Sequence, residues 1–310
     1  MKKLFASIFF LIIFKMNAQQ DVQYTQYMYN MSVVNPAYTS DDYDTTINVG
    51  LLHRTQWAGI RGSITSSNAF IQVPLKNGLM IGGTFLNDNI DNIVKQNSVY
   101  LDVAYGVNLS RYSKLSFGIK SGLNFLRNDF SNFSLQSGTI ATDPSFINNL
   151  NETFYNFGAG IYFNTDNMYL GFSIPNFIQS KHISNNPSDV FYGKEEIHAY
   201  LTGGYVFSLS KKVKLKPSFL IKRVEGAPLS YDVNANAFVN DKVEFGLGYR
   251  FEDAFSALIN FNITPGLKIG YSYDYNTSKL NGFNSGSHEF ILLYDFITVF
   301  NGFEKSPRYF

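Results

Sequence analysis

Val243-Glu244-Phe245-Gly246-Leu247-Gly248-Tyr249-Arg250-Phe251 alternates an oily or aromatic side chain with a polar residue or a glycine at every step. A period of two puts alternate residues on opposite faces of an extended strand. The alternation returns at Phe255, Ala257, Ile259 and Phe261, and again at Leu267, Ile269, Tyr271, Tyr273 and Tyr275. A soluble sheet with one face on a core shows this pattern too. Its repetition along the whole chain, an export signal and an excess of Tyr and Phe favour a membrane. The expected fold is all-β, a transmembrane antiparallel β-barrel of about 14 strands, an even count as in single-chain bacterial barrels.

Connection lengths agree with this fold. Those after even-numbered strands are tight, as at Ser110-Arg111-Tyr112-Ser113, Asp166-Asn167, Asn240-Asp241 and Thr264-Pro265-Gly266. Those after odd-numbered strands are mostly long, notably Arg127–Phe154 and Pro175–Glu196, with Glu252-Asp253 the exception. Short periplasmic turns alternating with long outer loops are the asymmetry of such barrels, and they predict that both termini are periplasmic. A soluble sandwich has no reason to sort its loops by parity.

Met1-Lys2-Lys3 followed by the apolar run Leu4 to Phe14 reads as a signal peptide ending near Met16-Asn17-Ala18. The run is too short for a spanning helix, which needs about 20 apolar residues. The chain accordingly divides into a signal peptide (1–18), an amino-terminal segment (19–44) that plugs the barrel or contacts a partner, the barrel (45–296) and a periplasmic tail (297–310). There is no cysteine, so disulfides, thiolate metal sites, cysteine nucleophiles and a lipoprotein anchor are excluded. With 25 basic and 24 acidic residues, no broad field draws the chain to nucleic acid. The charged fraction of 16% and the aromatic fraction of 17% suit a surface that faces outer-membrane lipid.

Parity also assigns faces. Leu115, Phe117, Ile119, Leu123 and Phe125 should meet lipid, while Lys114, Ser116, Gly118, Lys120, Gly122 and Asn124 point inward. A charge on the lipid face at the bilayer midplane costs about 2–4 kcal/mol, so the face carrying lysine is the lumen. The same logic turns Lys214, Lys216, Lys222, Glu244, Arg250, Lys268, Asp274 and Asp295 inward. Both signs are present, which allows a lumen crossed and filled by ion pairs.

Gln20-Asp21-Val22-Gln23-Tyr24-Thr25-Gln26-Tyr27-Met28-Tyr29-Asn30 precedes the first strand and is too aromatic for a disordered tail. Together with Val34-Asn35-Pro36-Ala37-Tyr38 it resembles the mature amino terminus of the PorP/SprF family, although the family usually has proline where this chain has Val22. Arg54-Thr55-Gln56-Trp57-Ala58-Gly59-Ile60 resembles the family's R-x-Q-W-x-G loop, and the terminal Ser306-Pro307-Arg308-Tyr309-Phe310 resembles its common endings. The resemblance implies an outer-membrane component of the type IX secretion and gliding machinery of Bacteroidota, with a secreted surface adhesin and secretion components as partners. It brings no catalytic residues, cofactor or small-molecule substrate. Gln23, Tyr24, Gln26, Tyr27, Asn35, Pro36 and Tyr38 are the candidate plug or partner residues, and Arg308, Tyr309 and Phe310 a candidate assembly tail.

Arg54, Gln56, Trp57 and Gly59 are the candidate partner-binding residues. Tryptophan at a membrane rim is usually interfacial belt, yet Trp and Arg are over-represented at binding hot spots. Folding back of this loop into the lumen is a third option. His53, His182, His198 and His288 lack a nucleophile elbow or metal-ligand spacing around them, so no enzyme is expected. Barrel closure should bring His53 near His288 as ordinary rim residues. Asp88-Asn89-Ile90-Asp91-Asn92 lacks calcium-loop spacing and reads as a solvated outer loop. The alternative function is a transporter resembling the fatty-acid uptake barrels, but their apolar tunnels contrast with the charged inward positions here.

Overall fold

The computed structural model describes residues 23–38, 46–60, 62–91, 93–129, 150–178, 196–278 and 282–297. The strands are β1 (Thr46–Gln56), β2 (Ile64–Pro74), β3 (Leu79–Ile90), β4 (Val94–Ser110), β5 (Ser113–Asn128), β6 (Leu150–Thr165), β7 (Met168–Ile174), β8 (His198–Tyr205), β9 (Phe207–Ser210), β10 (Val213–Val224), β11 (Ser230–Val239), β12 (Val243–Arg250), β13 (Ala254–Asn262), β14 (Leu267–Asn276) and β15 (Ser287–Ile297). β8 and β9 are two halves of one stave interrupted at Val206, and both pair with β10. The described strands therefore make a 14-stave antiparallel sheet, closed where β15 pairs with β1 from Thr46↔Ile297 to Thr55↔His288. Closure removes the sheet edges that a bilayer core cannot hydrogen-bond.

Local chemistry fixes the hairpins. Asn240 and Asp241 both take positive φ, 52° and 54°, the geometry that matches the right-handed twist of the flanking strands. Below, "turn end" denotes the side of these tight hairpins and "loop end" the opposite side.

The face assignment holds. On β5, Lys114, Ser116, Lys120 and Asn124 are buried inward, while Phe117 and Ile119 stand 50% and 64% exposed on the outside. Lys216, Lys222, Glu244, Arg250, Lys268 and Asp274 are likewise buried in the lumen. Lys214, at the turn end, pairs with the exposed Asp241 at 3.5 Å, and Asp295 accepts from Asn48 at 2.8 Å.

The wall is taller on one side than periodicity suggests. β4 has 17 residues and β5 and β6 have 16 each, where a tilted spanning strand needs about 9–11. Asp88-Asn89-Ile90 belongs to β3, not to a loop as expected, and pairs with Gln96, Lys95 and Val94. Polar cross-strand pairs carry the ladder past the apolar band, for example Asn87 Nδ2 to Asn97 Oδ1 at 2.7 Å.

Gln23–Tyr38 lies inside the barrel. Its 3₁₀ turn Tyr27–Tyr29 and short helix Met31–Val34 pack with Tyr24, Ala37 and Tyr38 against Leu52, Phe70, Tyr162, Tyr169, Leu220 and Leu293 from the wall. The apolar core of this barrel is thus built around a segment, which explains the density of aromatics before the first strand. Burying each such side chain contributes about 1.5–3 kcal/mol. The segment runs the length of the lumen. Gln23 sits beside Ser230 and Asp232 near the loop end, and Thr46 starts β1 at the turn end, where Ile297 also leaves β15. Residues 1–22, on which the expectation of a periplasmic amino terminus rests, lie outside the described residues.

Candidate functional site

The lumenal segment is held at three places. Near the loop end, the Glu289 carboxylate accepts the backbone N–H groups of Thr25 and Gln26 at 2.9 and 2.8 Å. The Thr25 hydroxyl donates to Asp274 at 2.7 Å. Arg54 ties these groups together: it reaches Asp274 at 2.7 Å, Glu289 at 3.1 Å and the Thr25 hydroxyl at 3.0 Å. Arg250 pairs with Asp232 at 3.1 Å, and Gln23 donates to the same carboxylate at 3.3 Å. Isolated ions here would be costly, because desolvation exceeds the Coulombic gain unless each lone pair and proton is matched. Arginine suits the task, since its planar fork engages two carboxylates at once.

Toward the turn end, the Tyr29 hydroxyl donates to Glu244. Asn236 and Asn260 donate to that carboxylate at 2.7 and 3.1 Å, and Lys268 stands 3.8 Å from it. Lys268 and Lys216 also lie 4.3 and 5.2 Å from the centre of the Tyr29 ring, within cation–π range.

On the opposite wall the segment meets bare backbone. Asn35 donates to the Ile161 carbonyl at 3.0 Å, while its own oxygen accepts from Ala37 N–H at 2.9 Å. Pro36 and Ala37 press so closely on Gly118 that a Cβ there would stand 2.4 Å from their backbone atoms. Ser173 donates to the Val34 carbonyl at 2.7 Å, Lys120 to that of Ser32 at 2.8 Å, and Tyr38 meets the Tyr162 ring edge-on at 5.6 Å.

The sequence profile described as "type IX secretion system membrane protein PorP/SprF" matches residues 16–294. The chain belongs to the PorP/SprF family. Two solved barrels share its fold. One is a FadL homologue of Pseudomonas aeruginosa, at TM-score 0.52 and 13% identity, covering 86% of this chain and 94% of that one. The other is the Ralstonia pickettii toluene transporter TbuX, at TM-score 0.50 and 9% identity, covering 86% and 93%. No curated protein sequence matches the chain. Fold and family together make this an outer-membrane protein of type IX secretion.

In this PorP/SprF barrel the motif residues separate. Gln23, Tyr24, Gln26, Tyr27, Asn35, Pro36 and Tyr38 are all in the lumen. Arg54 joins them there, 2% exposed, and is not on the rim with Gln56, Trp57 and Gly59. Of the three options for this motif, folding inward is the one Arg54 takes, because β1 runs on to Gln56 and even positions of β1 face the lumen. Gln56, Trp57 and Gly59 stay at the loop end. There the N–H of Ala58 donates to Gly286 O at 2.8 Å, and that of Ser285 to Ala58 O at 2.7 Å. Trp57 holds φ at 55° and Gly59 at 86°, a left-handed geometry that glycine adopts freely and a bulky residue only at a cost. His53 and His288 lie on the outer wall of adjacent strands, on Ser67 at 2.9 Å and Tyr271 at 2.7 Å respectively. Arg308, Tyr309 and Phe310 lie outside the described residues. Glu244 was placed inward by parity, whereas Thr25 and Glu289 were not singled out from the sequence. An acidic residue on the inward parity of the last strand is the signal that finds Glu289.

Proposed function

We propose that this PorP/SprF barrel is a non-enzymatic support for an exported surface adhesin, closed to solutes and working through its ends. The observation that carries the reading is the filled lumen: an ionic network and an aromatic core hold Gln23–Tyr38 across the barrel. A barrel of about 14 strands leaves little free bore even before a plug is counted. An adhesin domain therefore docks on the rim, where Gln56, Trp57 and Gly59 stand. Replacing Trp57 with alanine is expected to leave the barrel assembled and to weaken adhesin retention on the cell, read by surface immunoblot. Unchanged retention would remove the rim turn from the binding site.

The tight turns are placed in the periplasm and the long connections at the cell surface. Ile297 then leaves the barrel on the periplasmic side, where the assembly role proposed for Arg308, Tyr309 and Phe310 would act. Gln23 stands toward the surface in this orientation, and the amino-terminal residues before it lie outside the described residues. An epitope inserted within 226–228 should be labelled on intact cells, and one within 111–112 only after the outer membrane is opened. The reverse pattern would invert the orientation.

The transporter reading is weaker, because Lys216, Glu244, Lys268 and Asp274 face inward where an apolar tunnel would be needed. In planar bilayers the intact chain should carry no steady current, and deletion of 23–38 should open one. Steady conductance from the intact chain would revive the transporter.

A further inference from the structure

The lipid-facing wall is not smooth. Where β15 closes on β1 it holds an apolar groove of about 720 Å³, within the range of about 300–1,000 Å³ typical of ligand sites. Register explains its shape. Leu51 stands opposite Ala69 and Ala69 opposite Phe85, and one row nearer the loop end His53 stands opposite Ser67. The short side chains of Ser67 and Ala69 leave a notch between Leu51, 51% exposed, and Phe85, 45% exposed. From β1 to β3 the notch spans two strand spacings, about 10 Å between backbones. A helix with its side chains is about 10–12 Å across and does not enter it. An extended hydrocarbon chain does. Both rows lie wholly within the described residues.

Polar groups gather at the loop end of the groove. His53 Nδ1 lies 2.9 Å from the Ser67 hydroxyl, and His288 Nδ1 lies 2.7 Å from that of Tyr271. With Nδ1 accepting from these hydroxyls, Nε2 carries the ring proton and is a donor. In the next row toward the loop end, Tyr273, His288, Thr55, Thr65, Asn89 and Lys95 pair across the strands in that order. This ledge has hydroxyls, an amide, an imidazole and an ammonium but no carboxylate. The acids of the same staves, Asp88, Asp102, Asp274, Glu289 and Asp295, have the opposite parity and face the lumen, and Asp91 stands above in the β3–β4 turn. Aromatic and polar residues at a membrane rim are ordinarily belt. Here the ledge overhangs a groove, and its charge is of one sign.

We infer that the groove holds one acyl chain of the phosphorylated glycolipid of the outer leaflet, whose head-group oxygens accept from His53 and His288. This rests on the orientation proposed above. Lipid tails are as apolar as Leu51 or Phe85, so packing in the notch and the head-group bonds hold the lipid, and the hydrophobic effect does not.

In native mass spectrometry the full-length barrel in detergent should retain bis-phosphorylated lipid A at concentrations where phosphatidylethanolamine is lost. Ala69→Trp fills the notch from the lipid side, and a strand tolerates tryptophan there. It should lower lipid A retention about tenfold while the barrel stays heat-modifiable. His53→Leu combined with His288→Leu removes both imidazole donors from an apolar wall and should lower retention likewise. Leu170→Trp, at a 46% exposed position on β7 outside the groove, should retain lipid A like the wild type. If the wild type holds lipid A no better than phosphatidylethanolamine, or Ala69→Trp holds it as well as the wild type does, the glycolipid site is wrong and the orientation stands. If epitope labelling on intact cells places the tight turns at the surface, the orientation falls and the glycolipid site with it.

Discussion

Arg54→Met is expected to turn a closed barrel into a conducting one. The substitution conserves most of the stem but leaves Asp274 and Glu289 buried without their shared cation. Removing one partner of such a network costs about 3–5 kcal/mol, because the remaining charges stay desolvated. The strain falls on the lumenal segment, since Glu289 holds the Thr25 and Gln26 amides and Asp274 the Thr25 hydroxyl. The strand ladder around Arg54 consists of backbone bonds to β2 and β15 and is untouched. The expected signature is a folded, heat-modifiable barrel with new steady current in planar bilayers and protease access to the segment. Arg54→Lys should recover only part of the closure, because a single ammonium cannot engage both carboxylates as the guanidinium fork does. Adding Asp274→Asn and Glu289→Gln to Arg54→Met should relieve part of the destabilisation. A variant that stays closed and protease-resistant would show that the network does not seat the segment.

The second large effect is expected from Gly118→Val. Valine favours strands more than glycine does, so the wall gains if anything. Its Cβ, however, would fall 2.4 Å from the Ala37 nitrogen and from the Pro36 carbonyl, which are backbone atoms that cannot swing aside. The turn Asn35–Tyr38 must lift, giving up the Asn35 bond to Ile161 and the Tyr38 contact with Tyr162. Overpacking of this kind costs about 1–3 kcal/mol. Current and protease sensitivity should rise as for Arg54→Met, with the barrel intact. Gly118→Ala should give a smaller shift in the same direction. If Gly118→Val leaves the segment protected, the close approach at this wall is not what positions it.

Two of the three stretches that resemble the family meet in these contacts. The aromatic and amide run before the first strand and the arginine at the end of β1 meet on Glu289 and Asp274. Sequence parity placed Asp274 inward but left Arg54 in the loop that follows the first strand, whereas β1 runs on to Gln56. Near a rim the lipid-facing residues turn polar, as at Thr55 and Thr65, and the oily alternation that marks a strand fades although the ladder continues. The same fading hid the upper parts of β3 and β6, where Asn, Asp, Glu and Thr replace the apolar band.

What the sequence determined by itself was everything that depends on neighbours two residues apart: the staves, their lipid and lumen faces, the tight hairpins and the all-β class. Lipid on one face and backbone pairing on both sides impose that period on every strand independently, so each can be read without the others. How the lumen is filled depended on tertiary structure alone. Thr25 meets Glu289 across 264 positions and Asp274 across 249, and Tyr29 meets Glu244 across 215. No local pattern encodes those pairings, because each exists only once the barrel closes and removes both partners from water.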